Sequence, residues 1–113
     1  LAQVRGGTLN GLAITTAKRS PFAPELPPVA DAVPGYDVSS WFAFFAPKKT
    51  PPEMVARMAA DTKIALTDPG VKSRLDALAA ESVGSTPAEL AAFLAKESET
   101  WGKLIRDQGI RAE

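Results

Sequence analysis

The stretch that decides the fold is residues 36–47, Y-D-V-S-S-W-F-A-F-F-A-P. It contains three of the five Phe residues, one of the two Trp residues and the single Tyr. Over 41–46 the apolar residues do not alternate with polar ones, which is typical of an inner strand covered on both faces. A buried helix would give a similar pattern, but the run is short, bounded by proline and rich in strand-favouring aromatic residues. The sequence therefore predicts a strand over 38–46.

A second strand is predicted over residues 9–16, L-N-G-L-A-I-T-T. In an extended backbone Leu12, Ile14 and Thr16 would share one face. The β-branched residues at its end suit a strand better than a helix. Gly6-Gly7 is predicted to form a turn before it.

The two predicted strands are separated by a connector over 18–35 that contains five prolines. Proline fixes φ and removes a backbone donor, so regular structure is largely excluded there. A single helical turn over 29–33 remains compatible with the sequence. A connector of this length is either an ordered surface wrap, which we favour, or a loop that contacts a ligand.

Three helices are predicted over 51–67, 69–79 and 87–108. Each begins at a proline that follows a potential capping residue, a signature of helix N-termini. The sequences T-P-P-E at 50–53 and T-P-A-E at 86–89 both fit a capping box. Apolar residues then recur at helical spacing, and Gly109 is placed to end the last helix. Strands followed by helices predict an α/β fold.

The composition limits the function. At 113 residues the chain has the length of one domain, and its 13 basic and 13 acidic residues leave no net charge to attract nucleic acid or an anionic membrane. No stretch is long enough to insert in a bilayer, and the opening L-A-Q-V-R-G-G-T has no signal-peptide layout. The chain contains no Cys and no His. We therefore expect no metal, no cofactor, no catalytic residue and no enzymatic activity.

Clusters that could carry chemistry are weak. The carboxylate pairs Asp31 with Asp37 and Glu97 with Glu99 have no evident reason to converge. Ser39-Ser40 lacks the context of a nucleophile, because an ordinary catalytic triad needs a base such as His. The aromatic residues after it are more typical of a core than of a stacking platform for bases.

Several segments together resemble one protein family. They are L-A-I-T-T-A-K-R-S-P at 12–21, V-A-D-A-V-P-G-Y-D-V-S-S-W-F-A-F-F-A-P at 29–47, T-P-P-E, D-P-G-V and V-G-S-T-P-A-E-L. The chain resembles the Bug family of extracytoplasmic solute receptors, the substrate-binding subunits of tripartite tricarboxylate transporters. The resemblance runs over essentially the whole sequence, and its last segment looks like the C-terminus of the family.

The resemblance implies that the chain is the last third of a two-lobed receptor. Its fold would be α/β, a partial lobe of a type II periplasmic-binding-protein-like fold with two strands and three main helices. Such a receptor captures a small organic carboxylate in the periplasm, or otherwise outside the cytoplasm, and delivers it to membrane permease subunits. By position Ser39, Ser40 and Trp41 would approach the ligand cleft. The basic pair Lys18-Arg19 is a weaker alternative for contacting the carboxylate, since surface loops carry such pairs routinely.

Two other functions remain open at this point. The first is a structural or oligomerising α/β module without solute binding. The second is a small enzyme that uses carboxylates or Lys, which the absence of His and Cys opposes. We also expect the isolated chain to bind no carboxylate tightly and to form a homo-oligomer, because an inner strand without neighbours exposes an edge that associates.

Overall fold

The structure is a computed structural model that describes residues 1–111, which contain four α-helices and one short 3₁₀ turn. The elements are α1 (Ala2–Arg5), the 3₁₀ turn (Val29–Asp31), α2 (Pro52–Ala65), α3 (Pro69–Ala77) and α4 (Pro87–Asp107). The three main helices agree with the predicted ranges to within two residues at each end. The short helix α1 was not predicted. The chain divides into two compact units, unit 1 (1–45 and 75–81) and unit 2 (46–74 and the residues from 82 onward).

Unit 1 is organised around the end of the first predicted strand. The Ile14 N–H donates to the Pro27 carbonyl at 2.9 Å, and the Ile14 carbonyl accepts from the Val29 N–H at 2.8 Å. These two bonds form an isolated parallel bridge between Ile14 and Pro28. The connector is therefore held along one side of this backbone segment.

The opposite side of the same segment holds the start of the aromatic stretch. The Thr15 carbonyl accepts from the Val38 N–H at 2.9 Å. Two residues further along this segment, the Ala17 N–H donates to Oδ1 of the Asp37 side chain at 3.0 Å. Residues 14–17 thus bond to chain segments on both sides, as an inner strand would.

The structure nevertheless corrects the prediction of two strands. Within residues 1–111 neither 9–16 nor 38–46 forms a strand, and the bridge at Ile14 is the extent of β pairing. A strand requires a run of backbone hydrogen bonds to a neighbour. These residues provide only a few such bonds around 14–17. The residues carry strand-type sequence, but the neighbours needed for a ladder are absent from the described part.

The expected burial of the aromatic stretch is also not met. Phe42 is 97% exposed and Phe44 is 83% exposed. Among the described residues only Ala23 and Pro28 are buried, and both lie in the connector. The prediction that both faces of the stretch are covered is therefore wrong for these residues, because burial depends on elements that they do not supply.

The connector is an ordered wrap, as favoured from the sequence. Helix α1 contacts it through the Arg5 guanidinium, which donates to the Phe22 carbonyl. A Cβ built on Gly11 would lie 3.0 Å from side-chain atoms of both Leu26 and Val4. A larger residue at this position would require the Leu26 and Val4 side chains to shift, because the connector and α1 approach it from two sides.

The predicted caps are present at two of the three main helices. At α4 the Glu89 N–H donates to Oγ1 of Thr86 at 3.2 Å, and the Thr86 N–H donates to Oε2 of Glu89 at 2.7 Å, so the capping box is complete. At α3, Oδ1 of Asp68 accepts from the N–H groups of Gly70 and Val71 at 2.8 and 3.0 Å. Each cap satisfies N–H groups that have no partner within the helix.

The third predicted cap is a correction. Helix α2 begins at Pro52 with Pro51 as its N-cap, and no side chain caps it. Glu53 therefore occupies the second helical position, whereas a capping box requires the third. The two consecutive prolines shift the start by one residue relative to Thr50.

Unit 2 is held by contact between α2 and α4. The least exposed side chains of each helix follow one stripe at helical spacing. These half-buried positions are Val55, Ala59 and Thr62 on α2, Leu66 at its C-cap, and Leu90, Leu94 and Glu97 on α4. The two methionines of α2, Met54 and Met58, are 54% and 52% exposed.

The C-terminal ends of α3 and α4 have the same geometry but different residues at the key position. After α4 the N–H groups of Gly109 and Ile110 donate to Arg106 and Ile105, and Gly109 has φ of +62°. This is a Schellman motif, which confirms the predicted stop at Gly109. After α3 the position equivalent to Gly109 is Ala79, with φ of +54°.

We expect Ala79→Gly to stabilise the protein by about 0.5–1 kcal/mol, because a Cβ in the left-handed region costs about 1–2 kcal/mol and part of the gain is offset by the flexibility of glycine in the unfolded chain. Thermal unfolding followed by circular dichroism measures the effect. Ala77→Gly, at the last helical residue of α3, is the matched control and should not stabilise. A lower melting temperature for Ala79→Gly would contradict the assignment of strain.

The capping box also predicts a pH dependence. The backbone N–H and then the hydroxyl of Thr86 donate to the carboxylate of Glu89 and hold its pKa below the ordinary value, and Lys63 adds a smaller effect in the same direction. A pKa that is lowered in the folded state stabilises the fold above the unfolded pKa, and this contribution is lost as the pH falls through the folded value. We expect a small loss, since the carboxylate is exposed.

Melting curves recorded at pH values below about 4.3, the ordinary pKa of Glu, measure this loss of stability. Glu89→Gln should remove the part of the pH dependence that arises at the start of α4, because the amide accepts the same bond without titrating. Glu99→Gln, on the same helix, is the control and should leave it unchanged. An unaltered pH profile for Glu89→Gln would refute the role of this carboxylate.

Candidate functional site

The favoured candidate residues follow directly after the backbone bond that fixes Val38. Ser39 and Ser40 are exposed, and Trp41 is 39% exposed. Their starting point is fixed on one side by the bond between Val38 and Thr15. The two hydroxyl groups and the indole N–H are hydrogen-bond donors, the type of group that suits a carboxylate ligand.

Asp37 is a positioning residue that sequence reasoning did not identify. The sequence suggested Asp37 only as one member of a carboxylate pair with Asp31. In the structure its Oδ1 accepts from the Ala17 N–H at 3.0 Å. The available signal was its place just after Pro34-Gly35, since Asp side chains near turns often accept bonds from backbone N–H groups. It fixes the backbone two residues before Ser39.

The alternative candidates Lys18 and Arg19 lie at the start of the connector. Nη1 of Arg19 donates to the carbonyls of Pro24 and Leu26 at 3.1 and 3.3 Å. The Lys18 carbonyl accepts from the Thr16 hydroxyl at 2.8 Å. These contacts give Arg19 a structural role in shaping the connector, and they favour the surface-wrap interpretation over ligand contact.

The structure does not bring the two candidate sets to one place. Asp37 bonds to Ala17 and Val38 bonds to Thr15, so the residue number falls along one segment as it rises along the other. The two segments therefore run in opposite directions at this crossing. Residues 39–41 leave it at one end, and residues 18–19 leave it at the other.

The other predicted exclusions concern chemistry and membranes. In the part of the chain that the structure describes, no three potential metal-ligating side chains form a group. No helix within that part has both the length and the apolar character to cross a membrane.

On α4, Oε2 of Glu97 accepts from the indole N–H of Trp101 at 3.1 Å. This carboxylate therefore bonds to a side chain one turn further along its own helix.

Comparison with known sequences decides the family. Residues 1–110 match the sequence model of the "Tripartite tricarboxylate transporter family receptor". The chain belongs to this receptor family. It is a family of transport receptors, in agreement with the prediction that the chain is not an enzyme.

Several curated proteins match most of this chain. A UPF0065 protein from the tcbD-tcbE intergenic region of Pseudomonas sp. strain P51 is 36% identical over 106 residues, which are 92% of this chain and 32% of that protein. Protein BugT of Bordetella pertussis is 32% identical over 112 residues, 98% of this chain and 34% of BugT. The chain thus spans about a third of the length of these relatives. In a Pseudomonas knackmussii relative, 31% identical, the matched region is 62% of the protein and 90% of this chain.

A solved structure has a similar fold. The structure of the periplasmic binding protein BugD superposes with a TM-score of 0.79 at 28% identity, over 99% of this chain and 38% of BugD. This agreement confirms the fold class, an α/β periplasmic-binding-protein lobe of which this chain forms part.

Proposed function

We propose that this chain is part of the solute-binding subunit of a tripartite tricarboxylate-type uptake system. The subunit captures a small organic carboxylate outside the cytoplasm and delivers it to membrane permease subunits. The observation that carries the proposal is the family match over 1–110, supported by the fold shared with the periplasmic binding protein BugD. A periplasmic or other extracytoplasmic location follows from the same relationship.

The proposed ligand contacts are Ser39, Ser40 and the indole of Trp41. Hydroxyl and N–H donors replace the hydration of a carboxylate when several of them converge, and each hydrogen bond to a charged group contributes about 1.5–3 kcal/mol. The supporting geometry is the anchoring of Asp37 and Val38 to residues 15–17, which fixes where this segment begins. Lys18 is kept as the weaker alternative. Arg19 is less suited to this role because its guanidinium already bonds to the connector.

A structural or oligomerising module is the second candidate function, and one observation favours it. The exposed aromatic side chains of the 41–45 stretch are the type of surface that associates with other polypeptides. Such a module would keep the helices and the fold of the receptor family but would bind no solute.

Thermal shift on a chimera separates the two candidates. The chimera is BugD in which the part that matches this chain is replaced by residues 1–113. Mono-, di- and tricarboxylates and amino acids are tested as ligands, and their neutral amides are the controls. A bound ligand at 100 times its Kd stabilises by about 2.7 kcal/mol. We expect one carboxylate to raise the melting temperature and its amide to have no effect.

Substitutions in the same chimera test the contacts. Ser39→Ala and Ser40→Ala should each weaken binding about 10-fold or more, the effect of one hydrogen bond to a charged group. Ser98→Ala, on α4, should not. A stably folded chimera that responds to no carboxylate would favour the structural module.

A further inference from the structure

The connector is held by guanidinium groups on both sides of a buried residue. Ala23 is 2% exposed. The Arg5 guanidinium donates to the carbonyl of Phe22, the residue before it. On the other side, Nη1 of Arg19 donates to the carbonyl of Pro24 at 3.1 Å. Because proline has no N–H, the connector is poor in backbone donors, and the two arginine side chains supply donors to its carbonyls.

A second bond from Arg19 acts closer to the candidate ligand contacts. The same Nη1 donates to the carbonyl of Leu26 at 3.3 Å. The next residue, Pro27, has a restricted φ, and its carbonyl accepts from the Ile14 N–H at 2.9 Å. Arg19 therefore holds the backbone one residue before the point at which the connector bonds to the segment 14–17.

The segment 14–17 links this restraint to the candidate ligand contacts. On the side away from the connector, the Thr15 carbonyl accepts from the Val38 N–H at 2.9 Å. Ser39 follows Val38 directly in the chain. The path from Arg19 to Ser39 thus consists of hydrogen bonds and covalent neighbours, and all of it lies within unit 1. Such a contiguous network can carry energetic coupling between a side chain and a site that it does not touch.

We propose that Arg19 is a positioning residue for the candidate ligand contacts at 39–41. Its guanidinium holds the connector against Ile14, and this contact keeps Val38 in place at the start of the contacts. Arg19 acts through the connector and does not touch the solute. The inference rests on the proposed function for the role of 39–41, whereas the path itself is present without any solute.

Hydrogen exchange of the 113-residue chain tests this path directly. Arg19→Met removes the donors and keeps an unbranched apolar side chain. The amides of Ile14 and Val38 should exchange about 5–10-fold faster, because two hydrogen bonds to carbonyls are lost and both are exposed to water. The amides in the middle of α4 belong to unit 2 and should keep their exchange rates.

Two further variants separate positioning from a general loss of stability. Both bonds come from one nitrogen, so the ammonium group of Arg19→Lys can replace at least one of them. Its exchange rates should lie between those of the wild type and Arg19→Met. Arg57→Met is the matched control, since it removes a guanidinium whose exposed ion pair with Asp61 lies within α2. It should leave exchange at Ile14 and Val38 unchanged.

Affinity in the BugD chimera measures the consequence for the ligand contacts. Arg19→Met should raise the Kd of the stabilising carboxylate about 3–10-fold, because the donors at 39–41 remain but are less well preorganised. Arg57→Met should leave the Kd unchanged. A wild-type chimera that binds no carboxylate would count against the proposed function, and the exchange rates would still decide the positioning role of Arg19.

Three results would overturn the proposal. Unchanged exchange at Val38 in Arg19→Met would show that the connector does not restrain the residues before 39–41. Faster exchange confined to the connector would give Arg19 a local structural role only. An equal increase at Val38 and in α4 would indicate a loss of global stability. Selective acceleration at Ile14 and Val38, reversed in part by Arg19→Lys, would support the proposal.

Discussion

The 113-residue chain by itself should bind small di- and tricarboxylates at least ~100-fold more weakly than the BugD chimera, because at least two hydrogen bonds to the ligand are missing and each contributes about 1.5–3 kcal/mol. The family resemblance implies a cleft between two lobes, with donors from both. The chain spans about a third of BugT and 38% of BugD, so it cannot provide both walls. The ligand then keeps part of its hydration shell, and the donors of residues 39–41 compete with water.

Calorimetry with the carboxylate that stabilises the chimera most measures this difference. The chimera is the positive control, and the amide of the same ligand shows whether the carboxylate charge is recognised. Micromolar binding of that carboxylate by the isolated chain would sink the prediction. It would show that residues 1–113 contain a sufficient set of donors on their own.

The helix boundaries were predictable because their signals are local. The partners of the cap at Thr86 lie within three residues of one another, and the bonds of the Schellman motif at Gly109 join residues at most five positions apart. Such contacts form wherever the helix forms, whatever surrounds it. The exception at Thr50 is also local, since a second proline moves the first turn of α2 by one position.

The outcome at 38–46 could not be predicted from local sequence. Its residues have the pattern of an inner strand, but a pattern states only what environment a segment suits. Whether Phe42 and Phe44 are buried depends on polypeptide that residues 1–111 do not include. The sequence thus predicted an environment for this stretch that residues 1–111 do not provide.

The candidate site stays a prediction, and its supporting contacts could not be predicted from the sequence. Ser39 and Ser40 were selected through the family resemblance, and nothing in the structure replaces them. The bonds from Arg19 to Pro24 and Leu26 depend on the path of a connector with five prolines, which sequence does not specify. The bond between Asp37 and Ala17 joins residues 20 positions apart and was missed for the same reason.

The free chain should self-associate weakly through the 41–45 stretch when no other polypeptide covers it. Fully burying a Phe contributes about 1.5–3 kcal/mol, which favours contact between exposed Phe42 and Phe44 of different copies. The small area available keeps the interface below the standard size of about 1,600 Å², so we expect a Kd of roughly micromolar or weaker. The complex should therefore dissociate on dilution.

Sedimentation velocity over concentrations from about 1 to 100 μM, which bracket such a Kd, measures the association. The double variant Phe42→Ser, Phe44→Ser should remain monomeric throughout, because it removes the two most exposed aromatic side chains of the stretch. Leu78→Ser and Val83→Ser replace residues that are 77% and 80% exposed elsewhere and should leave association unchanged. Loss of association in these controls as well would mean that contact is unspecific. A wild-type monomer at every concentration, with cooperative unfolding, would show that one chain tolerates this open aromatic face in water.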